Sequence, residues 1–288
     1  MEHLRWSERP TDLRAPVMLA AFRGWNDAAS AASTALASVG EALGAHRIAV
    51  IEPDEFFDYQ ATRPIIDTTV AGPEAITWPE VEIYLARVPN AERDLLLVTG
   101  SEPSMRWRPF TAALLGAAAE LGVKRLVLLG ALLADVVHTR PVRLTGLSAD
   151  PQLVDELGLR TPTYHGPTGI VGVLQHSAAA HGMQAVSLWA PVPHYAAGIT
   201  NTKASLALVD ALARIADVRV EVPELREAAA DFESQVSEAV EADPRLRSLV
   251  ERLQVALDTV HEEDLPSGDE LAAELERYLR ERGDDPIG

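Results

Sequence analysis

The sequence predicts an α/β fold: a mostly parallel sheet with helices on both faces, over about the first 220 residues, followed by an acidic helical C-terminal extension. Three observations carry this. Short apolar runs bounded by turn residues recur along residues 17–190, as buried strands do. Helix-length segments rich in alanine and leucine separate them, and strands alternating with helices make a sheet covered on two sides. After residue 220 the strand signals stop, and apolar residues recur at steps of three and four. The division expected is residues 1–220 as the α/β core and 221–288 as the extension.

The elements follow in order. Val17-Met18-Leu19-Ala20-Ala21-Phe22 is a buried strand. Gly24-Trp25-Asn26-Asp27 follows it, and Asn26 or Asp27 can cap the next helix by accepting from its free N–H groups. That helix, 28 to about 43, is built of small side chains that let it lie close on a sheet. Arg47-Ile48-Ala49-Val50-Ile51 is the next strand, and a β-α-β opening makes it the parallel neighbour of the first. Alternation over 81–88 predicts a strand with one exposed face, placed at an edge. Further buried strands are read at 94–100, 125–130 and 185–190, with helices at about 109–121, 169–181 and 203–215. A hairpin arm at 142–146 and a short helix near Leu153 fill the interval between.

In the extension, Leu225, Ala229, Phe232, Val236 and Val240 lie on one helical face. Leu246, Leu249, Val250, Leu253, Leu257 and Val260 mark a second, and Leu271, Leu275, Tyr278 and Leu279 a third. Asp243-Pro244 and Leu265-Pro266-Ser267-Gly268-Asp269 are the breaks between them. The net charge of −18 is concentrated here: residues 221–288 hold 20 acids and 7 bases. Such a surface repels nucleic-acid phosphates and anionic lipid, so neither is an expected partner. It serves solubility or the docking of a basic partner.

Composition sets other bounds. With 47% hydrophobic and 24% charged residues the chain is expected to pack a core rather than stay disordered. The absence of cysteine excludes disulfides, a thiolate zinc site and a cysteine nucleophile. No signal-like segment opens the sequence and no run of 18 apolar residues spans a membrane, so a cytoplasmic protein is expected.

Ligands of parallel α/β sheets bind beyond the carboxyl ends of the strands. Four polar loops fall there. They carry Trp25, Asn26 and Asp27; Glu102, Arg106, Trp107 and Arg108; Asp135 and His138; and His194 and Tyr195. Together they can line one pocket or one partner interface. Each also has a plainer role available: helix capping for Asn26 and Asp27, a loop ion pair for Glu102 with Arg106 or Arg108, a core anchor for Trp107, backbone partners for the histidines. Gly166-Pro167-Thr168-Gly169-Ile170-Val171-Gly172 opens a helix but lacks the lysine and hydroxyl of a phosphate loop, and close packing explains its glycines better. Ser101 is not in a nucleophile elbow, and the histidines have no metal spacing. No catalytic residue, metal or cofactor is expected.

As a set, Gly24-Trp25-Asn26-Asp27-Ala28, Gly100-Ser101-Glu102-Pro103 with Arg106-Trp107-Arg108, Leu133-Ala134-Asp135 with His138-Thr139-Arg140-Pro141, Gly166-Pro167-Thr168-Gly169-Ile170 and Pro191-Val192-Pro193-His194-Tyr195 resemble the proteasome assembly chaperone family, second-subunit type, in its actinobacterial branch. The resemblance covers roughly residues 15–215 and continues into the acidic extension. It implies a three-layer α/β/α fold similar to nucleoside phosphorylases and a homo-oligomer, a trimer being one candidate. It also implies a part in assembling the proteasome core particle, which relatives dock through a C-terminal hydrophobic–Tyr–any tripeptide. Here the sequence ends Asp284-Asp285-Pro286-Ile287-Gly288, and the nearest triplet, Arg277-Tyr278-Leu279, is internal, so docking in that mode is not expected. A non-enzymatic assembly or binding protein is the first expectation. A small-molecule binder or enzyme using the strand-end loops is the second.

Overall fold

In the computed structural model, residues 3–69, 72, 75–89, 91–149, 151–159 and 165–259 are described. The apolar runs form an eight-stranded sheet in the order β1-β3-β6-β7-β2-β8-β10-β9. Its strands are β1 (Leu4–Trp6), β2 (Val17–Arg23), β3 (His46–Ile51), β6 (Val81–Arg87), β7 (Asp94–Ser101), β8 (Arg125–Ala134), β9 (Thr145–Ser148) and β10 (Gln184–Pro193). A separate two-stranded ribbon pairs β4 (Ile65–Ile66) with β5 (Ile76–Thr77). The four inner strands β7, β2, β8 and β10 are mutually parallel, and β3 runs the same way; β1, β6 and β9 run opposite. The mostly parallel α/β sheet expected from the sequence is therefore present.

Two expectations of order are corrected. β2 and β3 point the same way, but β7 and β6 lie between them, so the first two long strands are not neighbours. β6 is not an edge strand: it is paired on both sides, and β1 and β9 are the edges. Its alternation comes from a half-buried face on which Glu82 pairs with Arg47 of β3 at 2.8 Å. The arm read at 142–146 is β9, an antiparallel partner of β10.

Helices cover both faces. α1 (Ala31–Ala42) and α5 (Thr202–Ala216) lie on one, where Ala31, Ala35, Val39, Leu208 and Leu212 meet Leu19, Leu97, Val127 and Leu188. α2 (Trp107–Glu120) and α4 (Ile170–Ser177) lie on the other, where Phe110, Leu114, Ile170 and Leu174 meet Phe22, Ile83, Val98 and Leu128. α3 (Pro151–Leu157) follows β9. This is the three-layer α/β/α arrangement.

The N-terminal approach to the sheet is fixed by Asp94, fully buried at the start of β7. Burial alone raises its pKa. The hydrogen bonds from the Arg14 side chain and backbone, with the charges of Arg14 and Arg87, outweigh that and hold the carboxyl below its ordinary range.

The extension begins with α6 (Pro223–Ala242) and α7 (Pro244–Thr259), separated at Asp243, whose extended backbone before Pro244 ends the helix. All five residues of the first apolar stripe are buried. Leu225 joins the core beneath α5. Phe232, Val236 and Val240, with Val250 of α7, instead pack on Val137 and Ala196, which follow β8 and β10. The extension thus lies across the carboxyl ends of the parallel strands. Val260, the third stripe and the triplet at 277–279 lie outside the described residues.

Candidate functional site

The strand-end loops form two polar clusters. The first joins β2, β7 and α4. Asn26 follows β2 and is 1% exposed. Its carbonyl accepts the Ala131 N–H of β8 at 2.8 Å. Its side-chain Nδ2 donates to Glu102 Oε1 at 2.6 Å, and the same oxygen accepts the Ile170 N–H at 2.7 Å. Glu102 therefore places its charge on the positive end of α4. Gly169, the residue before that helix, has to lack a side chain: a Cβ would stand 2.3 Å from Asn26 Nδ2. Gly169 is thus a packing residue against the Asn26 side chain, and Gly172 lies as close to the Thr168 hydroxyl.

Asp27 belongs to helix α1. Its carboxylate accepts from Ala32 N at 2.8 Å, Ser33 N at 3.1 Å and Ser33 Oγ at 2.5 Å, satisfying the donors that open the helix. Trp107 rests on the α2/α4 side of the core and donates Nε1–H to the Pro103 carbonyl at 2.5 Å. Arg106 opens α2 with a left-handed backbone, φ 54°, and pairs with Glu55 rather than Glu102. Arg108 is exposed. The loop ion pair read for Glu102 with either arginine is replaced by the bonds to Asn26 and Ile170.

The second cluster joins the loops after β8 and β10 to α6. His138 is 4% exposed. The Tyr195 hydroxyl lies 2.9 Å from the His138 backbone N and 2.8 Å from Nδ1; Ser237 Oγ lies 3.0 Å from Nε2. The assignment that satisfies every atom has the hydroxyl accept the backbone N–H and donate to Nδ1, leaving the proton on Nε2 to donate to Ser237. Lys203 of α5 ties the same corner, donating to the His138 carbonyl at 2.7 Å and to Glu233 of α6 at 2.5 Å. Beside it, Asp135 and His194 face each other on the surface at 3.0 Å. Arg140 reaches Asp258 of α7.

Burial, with a smaller push from Lys203, holds the His138 pKa below its ordinary value; Glu233 works against this. Burial likewise raises the Tyr195 hydroxyl. The sign for stability follows. Below about pH 6.5 the unfolded chain takes up a proton at this histidine that the folded chain refuses, so its contribution is present above that pH and lost as pH falls toward the folded value. Thermal unfolding should therefore come at lower temperature at pH 5.5 than at pH 7.5, and the difference should shrink in His138→Gln. An equal pH dependence in the variant would remove His138 from the account.

The clusters engage most of the acid–base candidates in structural bonds, while large apolar side chains at the same end stay exposed: Trp25 60%, Leu133 43%, Ile199 45%. The register explains Leu133. β2 runs beside β7 as far as Arg23↔Ser101, but beside β8 only to Ala21↔Leu129. β8 and β10 continue together to Ala134↔Pro193, so their ends overhang the sheet. Ser237 and Glu233 belong to α6 and lie outside the strand-end loops that the sequence singles out. The one signal for them is their spacing of four, which sets both on a stripe flanking the apolar face of α6. Among the described residues no group of three or more His, Asp or Glu is placed to hold a metal ion, and no helix is long and apolar enough to cross a membrane.

A model of the PAC2 family matches residues 21–240, from within β2 to the last turn of α6. The chain belongs to the PAC2 family. Among solved structures, a PAC2 family protein from Streptomyces avermitilis is 44% identical, the match covering 82% of this chain and 99% of that one with a TM-score of 0.74. The Mycobacterium tuberculosis proteasome-assembly chaperone homologue Rv2125 is 39% identical, covering 81% and 99%, with a TM-score of 0.75. The archaeal proteasome activator PbaB of Pyrococcus furiosus, 19% identical with a TM-score of 0.67 over 83% of this chain and 99% of that one, shares the fold. No curated protein matches the chain. The family resemblance carried by the strand-end loops is thus borne out, and those loops fall within the matched region of this PAC2 protein.

Proposed function

We propose that this PAC2 protein is a non-enzymatic, homo-oligomeric assembly or binding protein with a proteasome-related partner. One observation carries the reading. At the end of the sheet where an α/β enzyme would keep its reactive groups free, Asn26, Asp27, Glu102 and His138 are engaged in structural bonds, and Trp25, Leu133 and Ile199 are left facing solvent. The likeness to Rv2125, described as a proteasome-assembly chaperone homologue, supplies the partner class. The acidic extension supports a partner with a basic face, whose attraction weakens with salt.

The test is co-purification with the cognate proteasome core particle at low and high salt, alongside light scattering for the oligomer. Retention at low salt, reduced at high salt, and one species larger than the 31.1 kDa protomer are expected. No retention at low salt removes the proteasome reading, and a monomer removes the oligomer.

A further inference from the structure

The large apolar side chains left exposed are not spread evenly over the described residues. Trp25 and Met105 follow β2 and β7, Leu132 and Leu133 end β8, and Ile199 follows β10, so these stand at the carboxyl ends of the parallel strands. The rest, Val255 of α7 aside, belong to the connection from β3 to β6, which leaves that end of the sheet and returns to it. There the β4–β5 ribbon exposes Ile65 by 71%, Ile66 by 64% and Ile76 by 38%, and Trp78, just after it, is exposed by 45%.

Side chains alternate across a strand, so Ile66, its cross-strand partner Ile76 and Trp78 share one face of the ribbon, and Ile65 and Thr77 the other. Tyr59 touches Trp78 edge-on, ring centroids 4.9 Å apart, and still leaves it exposed. A two-stranded ribbon is marginal in water unless an apolar face packs on something. Ile65, Ile66, Ile76 and Trp78 leave on the order of 400 Å² uncovered, the size of a functional patch and about half of the ~800 Å² that each side of a standard interface buries. Charge selects what covers it. The two ribbon strands hold no charged residue. Of the carboxylates around them, Glu52 pairs with Arg5 at 3.3 Å, Glu80 with Arg47 at 3.8 Å and Glu55 with Arg106, and Asp67 accepts the Thr69 N–H at 2.8 Å. The acidic helices α6 and α7 lie instead on the loops after β8 and β10, and β7 and β2 separate those strands from β3 and β6. A contact at the ribbon lets two chains of net charge −18 join with their extensions apart, whereas one at the overhanging ends of β8 and β10 brings the extensions together.

We propose that the apolar face of the β4–β5 ribbon is where two copies of this chain meet, Ile66, Ile76 and Trp78 of one packed on the same residues of the other. Such a contact is isologous, one patch serving both copies. The proposal rests on the homo-oligomeric reading above and names the surface it uses. A partner with a basic face is left to the acidic extension, at the other side of the sheet.

The experiment is sedimentation equilibrium of the full-length chain, with hydrogen exchange at low and high protein concentration. Ile66→Asp should weaken self-association about 30-fold or more, as loss of a central anchor does, and Trp78→Ala should weaken it in the same direction. Both side chains are exposed in the protomer, so the amides of β2 and β7 should exchange as before in either variant. In the wild-type chain the amides of Ile65, Ile66, Ile76 and Thr77 should gain protection as concentration rises. Leu132→Asp, at the overhang, should leave self-association unchanged. A wild-type chain that stays a single protomer removes the homo-oligomer, and this contact with it. An oligomer that Ile66→Asp and Trp78→Ala leave intact, or that Leu132→Asp dissociates instead, overturns the ribbon contact alone. Ribbon protection that is the same at every concentration means that the chain covers its own ribbon, and protection that appears only with the core particle gives the ribbon to that partner; either result overturns the proposal.

Discussion

In a Phe232→Ala variant, α6 and α7 are expected to come away from the strand ends while the sheet stays folded. Phe232 is 4% exposed and sits in a small cluster with Val137, Ala196, Val236, Val240 and Val250. Truncating a buried phenylalanine costs about 3–5 kcal/mol. The cluster is separate from the two large cores on the sheet faces, and among the described residues Phe232, Val236 and Val240 join neither of those cores. Elements attached in that way open as local units. In hydrogen exchange, the amides of α6 beyond its first turns and of α7 should lose protection, while β2, β7 and β8 keep theirs. This also tests the division proposed between a core ending near residue 220 and a separate extension. If all amides lost protection together, the two parts would be one cooperative unit and the division would fail. If α6 kept its protection, the packing on Val137 and Ala196 would not be what holds it.

Gly100→Ala should be at least as damaging, for a different reason. Gly100 lies near the end of β7 with φ 159°, and a Cβ there would stand 2.1 Å from the Glu80 carbonyl oxygen and 2.7 Å from Val81 Cα. Those are backbone atoms of the chain entering β6, which cannot swing aside as a side chain would. β6 and β7 pair from Val81↔Gly100 onward, so relief requires opening the ladder at its first rung. A loss of about 4 kcal/mol or more is expected, near the extreme for single substitutions. Gly44→Ala is the comparison: φ is 60°, but no atom lies within 4 Å of the added methyl. There the cost is about 1–2 kcal/mol of backbone strain. Denaturant unfolding of the two variants separates clash from conformation. Equal losses would mean that the close approach of Glu80 is not what demands glycine at 100.

How far the sequence reaches is clear from particular elements. The four inner strands and α1, α2, α4 and α5 were readable because burial imposes a local pattern on each. The apolar stripe of α6 was readable for the same reason, and all five of its residues are buried. Strand order was not. That β7 and β6 lie between β2 and β3 is a fact about contacts between distant segments, and nothing local in either strand records it. The alternation of β6 reports how well its faces are covered and not how many strands flank it, so it does not distinguish an edge from an inner strand.

The strand-end loops divide in the same way. Asp27 as a helix cap was legible from its position one turn ahead of α1. The partners of Glu102 were not, since Asn26 is 76 residues away and Ile170 is 68. The nearer arginines looked better placed, but the left-handed turn at Arg106 carries that side chain toward Glu55. His138 was legible as a polar residue at a strand end. Its burial was not, because the residue that covers it, Ser237, lies 99 positions further on.

That separation bears on how the molecule is made. Ribosomes deliver the chain from the N-terminus at about 5–20 residues per second, and domains fold as they emerge. Every strand of the sheet, and α5, precedes residue 217, so the sheet has all its parts before Phe232 or Ser237 leaves the exit tunnel. A sheet that folds as it emerges has the carboxyl ends of its strands, with Val137, Ala196 and His138, uncovered until α6 follows, an interval of about seconds. In that order of events the extension settles on them last, as a cover supplied by the same molecule. Any factor that binds this surface during translation competes with α6 by timing as well as by affinity.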